Sequence, residues 1–154
     1  MSKCQELWIE RGNLRCNKIC SKEIPKLATD QILVAIDKFA LTSNNFTYGL
    51  TGDTIDYWSY FPTEEQWGKI PVWACDNVIE SHSDDIKVGE RLWEFFPMRS
   101  HVILTPARIR DDQFAGMAER RFKLPSLYNH YRRTTPQPIK NYFIESSNID
   151  TEVQ

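Results

Sequence analysis

The stretch Gln31-Ile-Leu-Val-Ala-Ile-Asp-Lys-Phe-Ala-Leu-Thr-Ser-Asn-Asn-Phe-Thr-Tyr-Gly-Leu-Thr-Gly-Asp53 decides how this chain folds. Its first half reads as a strand. Ile32, Val34 and Ile36 fall on one face and Leu33 and Ala35 on the other, so the strand is expected to be buried on both sides where it begins. The second half changes character at once. Thr42, Ser43, Asn44 and Asn45 form a polar cluster, followed by Phe46, Tyr48 and two glycines. Asn and Ser side chains compete with the backbone for hydrogen bonds and so favour turns and caps. A core strand therefore delivers a polar, aromatic-flanked turn to one end of a sheet. Binding groups are often carried on such turns, because the strand beneath fixes them. Asn44 to Leu50 is expected to form one helical turn, ended by Gly49 or Gly52.

On the N-terminal side, Gln5 to Glu10 and Leu14 to Cys20 read as two short strands joined at Gly12-Asn13, a hairpin signal. On the C-terminal side, Thr54 to Lys69 is aromatic without apolar periodicity and reads as a long ordered loop, a feature that is usually functional or interfacial. Ile70 to Ser81 reads as a strand, with Pro71 at a tolerated edge or first position. His82 to Lys87 is a turn. Val88 to Phe96 is a strand entered through Gly89, Arg99 to Pro106 is a further strand, and Asp111 to Arg121 is expected to be a short helix. Beyond Lys123, Pro125, Pro136 and Pro138 interrupt the pattern, and the last ten residues are polar. The expected organisation is a barrel domain over residues 1–131 and a partly disordered extension over 132–154. The fold class is mainly β: a partly open barrel of six or seven strands, with one or two short helices and an irregular C-terminal segment.

The chain has 154 residues, 41% apolar and 26% charged, with a formal net charge of -2. That suits one soluble domain with one core. Basic residues are scattered apart from Arg120-Arg121-Phe-Lys123 and Arg132-Arg133, so no nucleic-acid partner is expected. No apolar run is long enough to span a membrane. The N-terminus has no apolar core of a secretory signal, which makes the cytoplasm the expected compartment. Cys4, Cys16, Cys20 and Cys75 would there be reduced thiols.

Three pieces carry a resemblance: Phe39-Ala-Leu-Thr-Ser-Asn-Asn-Phe46 ending a strand, Ile70-Pro-Val-Trp-Ala-Cys-Asp-Asn-Val-Ile-Glu-Ser81, and Ile86-Lys-Val-Gly-Glu-Arg-Leu92. From about Leu7 to Tyr131 the chain resembles the GroES-like N-terminal barrel of the medium-chain dehydrogenase/reductase superfamily. It looks most like the zinc-free, quinone-oxidoreductase-like members, and closer still like an uncharacterised bacterial and fungal family of such proteins. The resemblance implies a substrate-holding barrel that works with a Rossmann domain carrying NADPH. The six glycines here never fall in the G-x-G-x-x-G spacing that brings a backbone against a pyrophosphate. No cofactor site is therefore expected within the chain, which is expected to be a natural truncation, a split gene or an excised fragment.

In zinc-dependent relatives a Cys ends the central strand and a His opens the later one. Here Thr42 stands at the first position and Trp73 near the second, neither of them a zinc ligand, so no metal is expected. Thr42, Asn44, Asn45 and Tyr48 are the polar candidates. They either hydrogen-bond a carbonyl substrate or the nicotinamide ribose of a docked cofactor, or they cap and pack the turn. Tyr57, Trp58, Tyr60, Phe61, Trp67 and Trp73 either wall a pocket for a flat substrate, form a satellite core, or mark a face that another domain covers. Thr42, Asn44, Asn45, Tyr48, Tyr57 and Trp73 are the expected substrate-binding set, with no catalytic residue in the chain. No Ser or Cys stands beside His82, His101 or His130 in a nucleophile motif.

The expectation is the substrate side of a zinc-independent, NADPH-dependent quinone- or enone-reductase-like protein, inactive alone, with a small carbonyl or quinone substrate. The alternative is a binding or dimerisation module that uses the aromatic loop 54–73. The expected partners are a second copy or a separate Rossmann-domain chain.

Overall fold

The computed structural model describes residues 3–54, 56–117 and 129–134. The chain opens as a hairpin. β1 (Lys3–Glu10) pairs antiparallel with β2 (Asn13–Glu23), and Gly12 takes a positive φ of 81° in the turn, a conformation open to glycine at little steric cost. β3 (Ile32–Ala40) follows, with Ile32, Leu33 and Val34 all buried, as apolar residues on both faces require. Then come α1 (Ser43–Thr51), a short 3-10 helix (Tyr57–Tyr60) and β4 (Trp67–Gly68). The remaining strands are β5 (Pro71–Ser81), β6 (Arg91–Pro97), β7 (His101–Leu104), β8 (Pro106–Ala107), β9 (Gln113–Gly116) and β10 (His130–Thr134).

Seven strands form one antiparallel sheet in the order β7-β3-β5-β6-β10-β9-β8. Its two outermost strands, β7 and β8, are separated in the chain by Thr105 alone. The ends of the sheet are thereby held together, and the sheet curls into a nearly closed barrel. Ile32, Val34, Ala74, Val78, Ile86, Leu92, Phe96, Leu104, Phe114 and Tyr131 fill it. The fold is mainly β with one α-helix among the described residues, as the strand periodicities imply. β1, β2 and β4 make a second, three-stranded sheet. It is joined to the barrel by hydrogen bonds from Leu7 N to Met98 O (2.9 Å) and Ser100 N to Gln5 O (2.8 Å).

A buried carboxylate reinforces that junction. Glu6 accepts from Trp8 Nε1 at 2.8 Å and pairs with Lys69 at 2.9 Å and Arg99 at 3.2 Å. Burial would raise the Glu6 carboxyl, but the Trp8 hydrogen bond and the two cations hold it below its ordinary range.

Several expectations need correction. Residues 111–117 are not helical: β9 occupies Gln113–Gly116, paired on both sides, and residues 118–121 lie outside the described residues. Phe114 is fully buried and stacks on Tyr131, so tertiary pairing overrides a weak helical pattern. The C-terminal region is not wholly irregular, because β10 inserts between β6 and β9. The loop 54–69 contains the 3-10 helix and β4. α1 runs for nine residues rather than one turn, with Gly49 inside it and Gly52 at its end. Pro71 is the first residue of β5, one of the two placements expected for it, although β5 itself is interior to the sheet. The rest of the expected C-terminal extension falls outside the described residues.

Candidate functional site

α1 starts where β3 ends, and its first turn is locked by side chains. Asn45 Oδ1 accepts from the Thr42 amide at 2.6 Å and from the Thr42 hydroxyl at 3.1 Å. Asn45 Nδ2 donates to the Pro71 carbonyl at 2.9 Å, fastening the helix start to the start of β5. Asn45 is buried, and its amide is committed to the chain itself. Thr42 and Asn45 thus form a cap of the kind in which a side chain three residues into the helix reaches back to the cap amide.

Asn44 is on the exposed side of the same turn. Its Nδ2 donates to the Tyr48 hydroxyl at 2.8 Å, one helical turn on. Tyr48 is buried, and its ring anchors an aromatic cluster. It lies 4.4 Å from Tyr57, measured between centroids, and meets Phe95 edge-on at 5.7 Å. Tyr60 meets Phe95 edge-on at 5.8 Å, and Trp73 lies 5.3 Å from the same ring. Edge-on contacts of this kind suit the ring quadrupoles. Phe95 and Trp73 are direct cross-strand partners on β6 and β5. Trp73 also stacks on Trp93 at 4.6 Å and 13°, and both indoles are half-buried.

Four of the six expected residues therefore come together: Asn44, Tyr48, Tyr57 and Trp73. Thr42 and Asn45 sit beside them as the cap. The other rings of the aromatic stretch divide differently. Tyr60 and Phe61 are buried in the cluster around Phe95, and Trp58 packs with Ile9, Ile70, Val72 and Met98. Trp67 is buried next to β1 and carries Lys18 over its ring at 4.0 Å. Trp58, Tyr60 and Phe61 thus belong to satellite cores and Trp67 is buried beside β1, while Tyr57 and Trp73 are half-buried. Around the site, Phe39, Leu41, Phe46 and Leu50 are exposed, Leu50 by 73% and Phe46 by 52%. Phe46 and Leu50 share one side of α1, four residues apart.

The barrel interior holds two acids that the sequence reading passed over. Asp76 (fully buried) and Glu94 lie among core residues of β5 and β6. Neither Asp76 oxygen has a hydrogen-bond partner among the described residues. Burial pushes the Asp76 carboxyl up to about 8, with Arg91 opposing the shift, so it is protonated at neutral pH. In the sequence Asp76 shares the alternation of Val72, Ala74 and Val78, and only the register turns that face inward.

Among the described residues no three His, Cys, Asp or Glu side chains are grouped to hold a metal. The described sheets are antiparallel, so no helix follows a parallel strand to present its N-terminus to a pyrophosphate. No described helix is long and apolar enough to cross a membrane.

A family model described as "Protein of unknown function (DUF2855)" matches residues 39–150. No curated protein matches the chain. Among solved structures the chain is similar to the quinone oxidoreductase from Coxiella burnetii, at 11% identity and a TM-score of 0.45. That likeness covers 70% of this chain and 38% of the other, so the chain spans well under half of that relative.

Proposed function

The chain belongs to the DUF2855 family of unknown function, and we propose that it is the substrate side of a zinc-independent quinone- or enone-reductase-like protein with a GroES-like barrel. The observation that carries this reading is the Asn44–Tyr48 hydrogen bond of 2.8 Å at the rim of the Tyr57–Phe95–Trp73 cluster. A carbonyl acceptor needs a donor at its oxygen and a flat apolar wall beside its ring. Tyr48 holds one Asn44 N–H, and the same exposed carboxamide offers its second N–H to an acceptor oxygen. Trp73 and Tyr57 supply the wall. The resemblance of Phe39 to Phe46, of Ile70 to Ser81 and of Ile86 to Leu92 to GroES-like barrels supports the same assignment.

The seat of the hydride donor, NADPH, is assigned outside these 154 residues. The exposed Phe39, Leu41, Phe46 and Leu50 around the site suit a face that a second domain or chain covers. This chain's part is then to bind and orient the acceptor and to polarise its carbonyl. Incubation of the isolated chain with NADPH and duroquinone tests the division of labour. Duroquinone has no open ring position for a cysteine to attack. No steady NADPH oxidation is expected, and turnover by the isolated chain would overturn the assignment.

A further inference from the structure

β2 is an edge strand eleven residues long, and among the described residues nothing pairs with its outer side. An open row of backbone N–H and C=O groups of that length is a template for another strand. Residues Asn13, Arg15, Asn17, Ile19, Ser21 and Glu23 form its solvent face, and Ile19 is 72% exposed at the middle of that row. From this geometry we propose that β2 pairs antiparallel with β2 of a second copy of this chain, on a two-fold axis through Ile19.

The sequence of β2 is complementary to itself about that residue. With Ile19 opposite its own copy, Asn17 faces Ser21 of the second chain and Arg15 faces Glu23, each pair occurring twice. On the other side of the ribbon, Lys18 faces Cys20 and Cys16 faces Lys22. No like charges are opposed, the exposed isoleucine is covered, and two opposite-charge pairs flank it. Opposite-charge pairs placed directly across two strands stabilise the pairing.

Neighbouring registers lack this match. Centring on Lys18 sets that ammonium against its own copy. Centring on Cys20 sets Lys18 against Lys22. Centring on Asn17 sets Arg15 against Ile19 and leaves Glu23 opposite a residue beyond β2. The lysines that guard the edge against other registers therefore permit this one. The surface is distinct from the α1 face and the aromatic stretch, and the proposal does not rest on the assigned function.

Sedimentation velocity of the full chain under reducing conditions is expected to show a concentration-dependent monomer–dimer equilibrium. Ile19→Lys, at a solvent-facing position outside every core cluster, is expected to weaken the dimer by about tenfold or more. Arg15→Glu weakens it as well, and Arg15→Glu combined with Glu23→Arg restores it. Register is read by disulfide trapping in a Cys16→Ser, Cys20→Ser background. Ile19→Cys is expected to give a covalent dimer, since directly opposed Cβ atoms lie about 4.5–5.5 Å apart, and Asn17→Cys is not. A chain that stays monomeric at every concentration overturns the proposal. So does a dimer indifferent to Ile19→Lys, or cross-linking that favours Asn17→Cys.

Discussion

Asp76 is the residue with the largest consequence for the chain's behaviour in solution. An aspartate in an unfolded chain titrates near 4, and in the barrel it titrates at about 8. Across that window the folded state keeps a proton that the unfolded state releases. Stability contributed by this group is therefore present at low pH and falls as pH rises from about 4 to about 8. The slope approaches 1.4 kcal/mol per pH unit at most. Replacing the carboxyl by an amide removes the titration. Urea unfolding of Asp76→Asn from pH 4.5 to 8.5 should thus give a flatter stability profile than the parent, with the gap widening in the variant's favour toward alkaline pH. Parallel profiles would show that the carboxyl does not titrate in this range.

The same residue marks what could not be read in advance. An acid within a strand of otherwise ordinary composition gives no sign of which face it occupies until the register is known. Asn45 differs, because capping the turn was one of the two roles its sequence left open, and the fold gives it that role. The sequence could not distinguish its partner, the Pro71 carbonyl, which is brought near only by the fold.

At the scale of elements, legibility followed local pattern. β3 showed itself through Ile32, Leu33 and Val34, and the β1–β2 hairpin through Gly12 and its alternating flanks. β9 and β10 did not. Asp111 to Arg121 mixes charges with Phe114 and Met117 at helical spacing, and only pairing with β8 and β10 makes Gln113–Gly116 a strand. α1 and the segment after it are tied by a contact that no single-element pattern reveals. Gly52 at the end of α1 and Gly68 in β4 both lie against the Trp58 indole. A Cβ at Gly52 would come within 2.2 Å of Trp58 Cε2, and one at Gly68 within 2.4 Å of Cε3. Gly52 has ordinary helical dihedrals, so its requirement is for space. Gly52→Ala is therefore expected to displace the indole and destabilise the chain by about 1–3 kcal/mol, the usual cost of overpacking. Chemical denaturation would measure it, and Trp58→Leu in the same background should recover part of the loss. An unchanged midpoint would mean that the indole is loosely held.

For the whole molecule, two sheets share one junction, and the candidate site belongs to the seven-stranded one and α1. The ends of the nearly closed barrel are held together by the short step through Thr105, and the hairpin sheet is joined to it through Glu6, Lys69 and Arg99. α1 bridges the end of β3 to the start of β5, which is why Tyr48, carrying Asn44 on its hydroxyl, meets Phe95 although the two are distant in sequence. The aromatic residues were visible from composition, but their division into core rings and rim rings required the fold. The central claim is that this rim holds a flat carbonyl acceptor. Calorimetric titration of the isolated chain with duroquinone tests it most directly, with Asn44→Ala as the comparison. Asn44 is exposed, so its truncation leaves the core intact. Saturable binding to the parent chain, weakened about tenfold in Asn44→Ala by loss of a hydrogen bond, is the predicted result. Absence of saturable binding, or equal affinity in the two proteins, would contradict the claim.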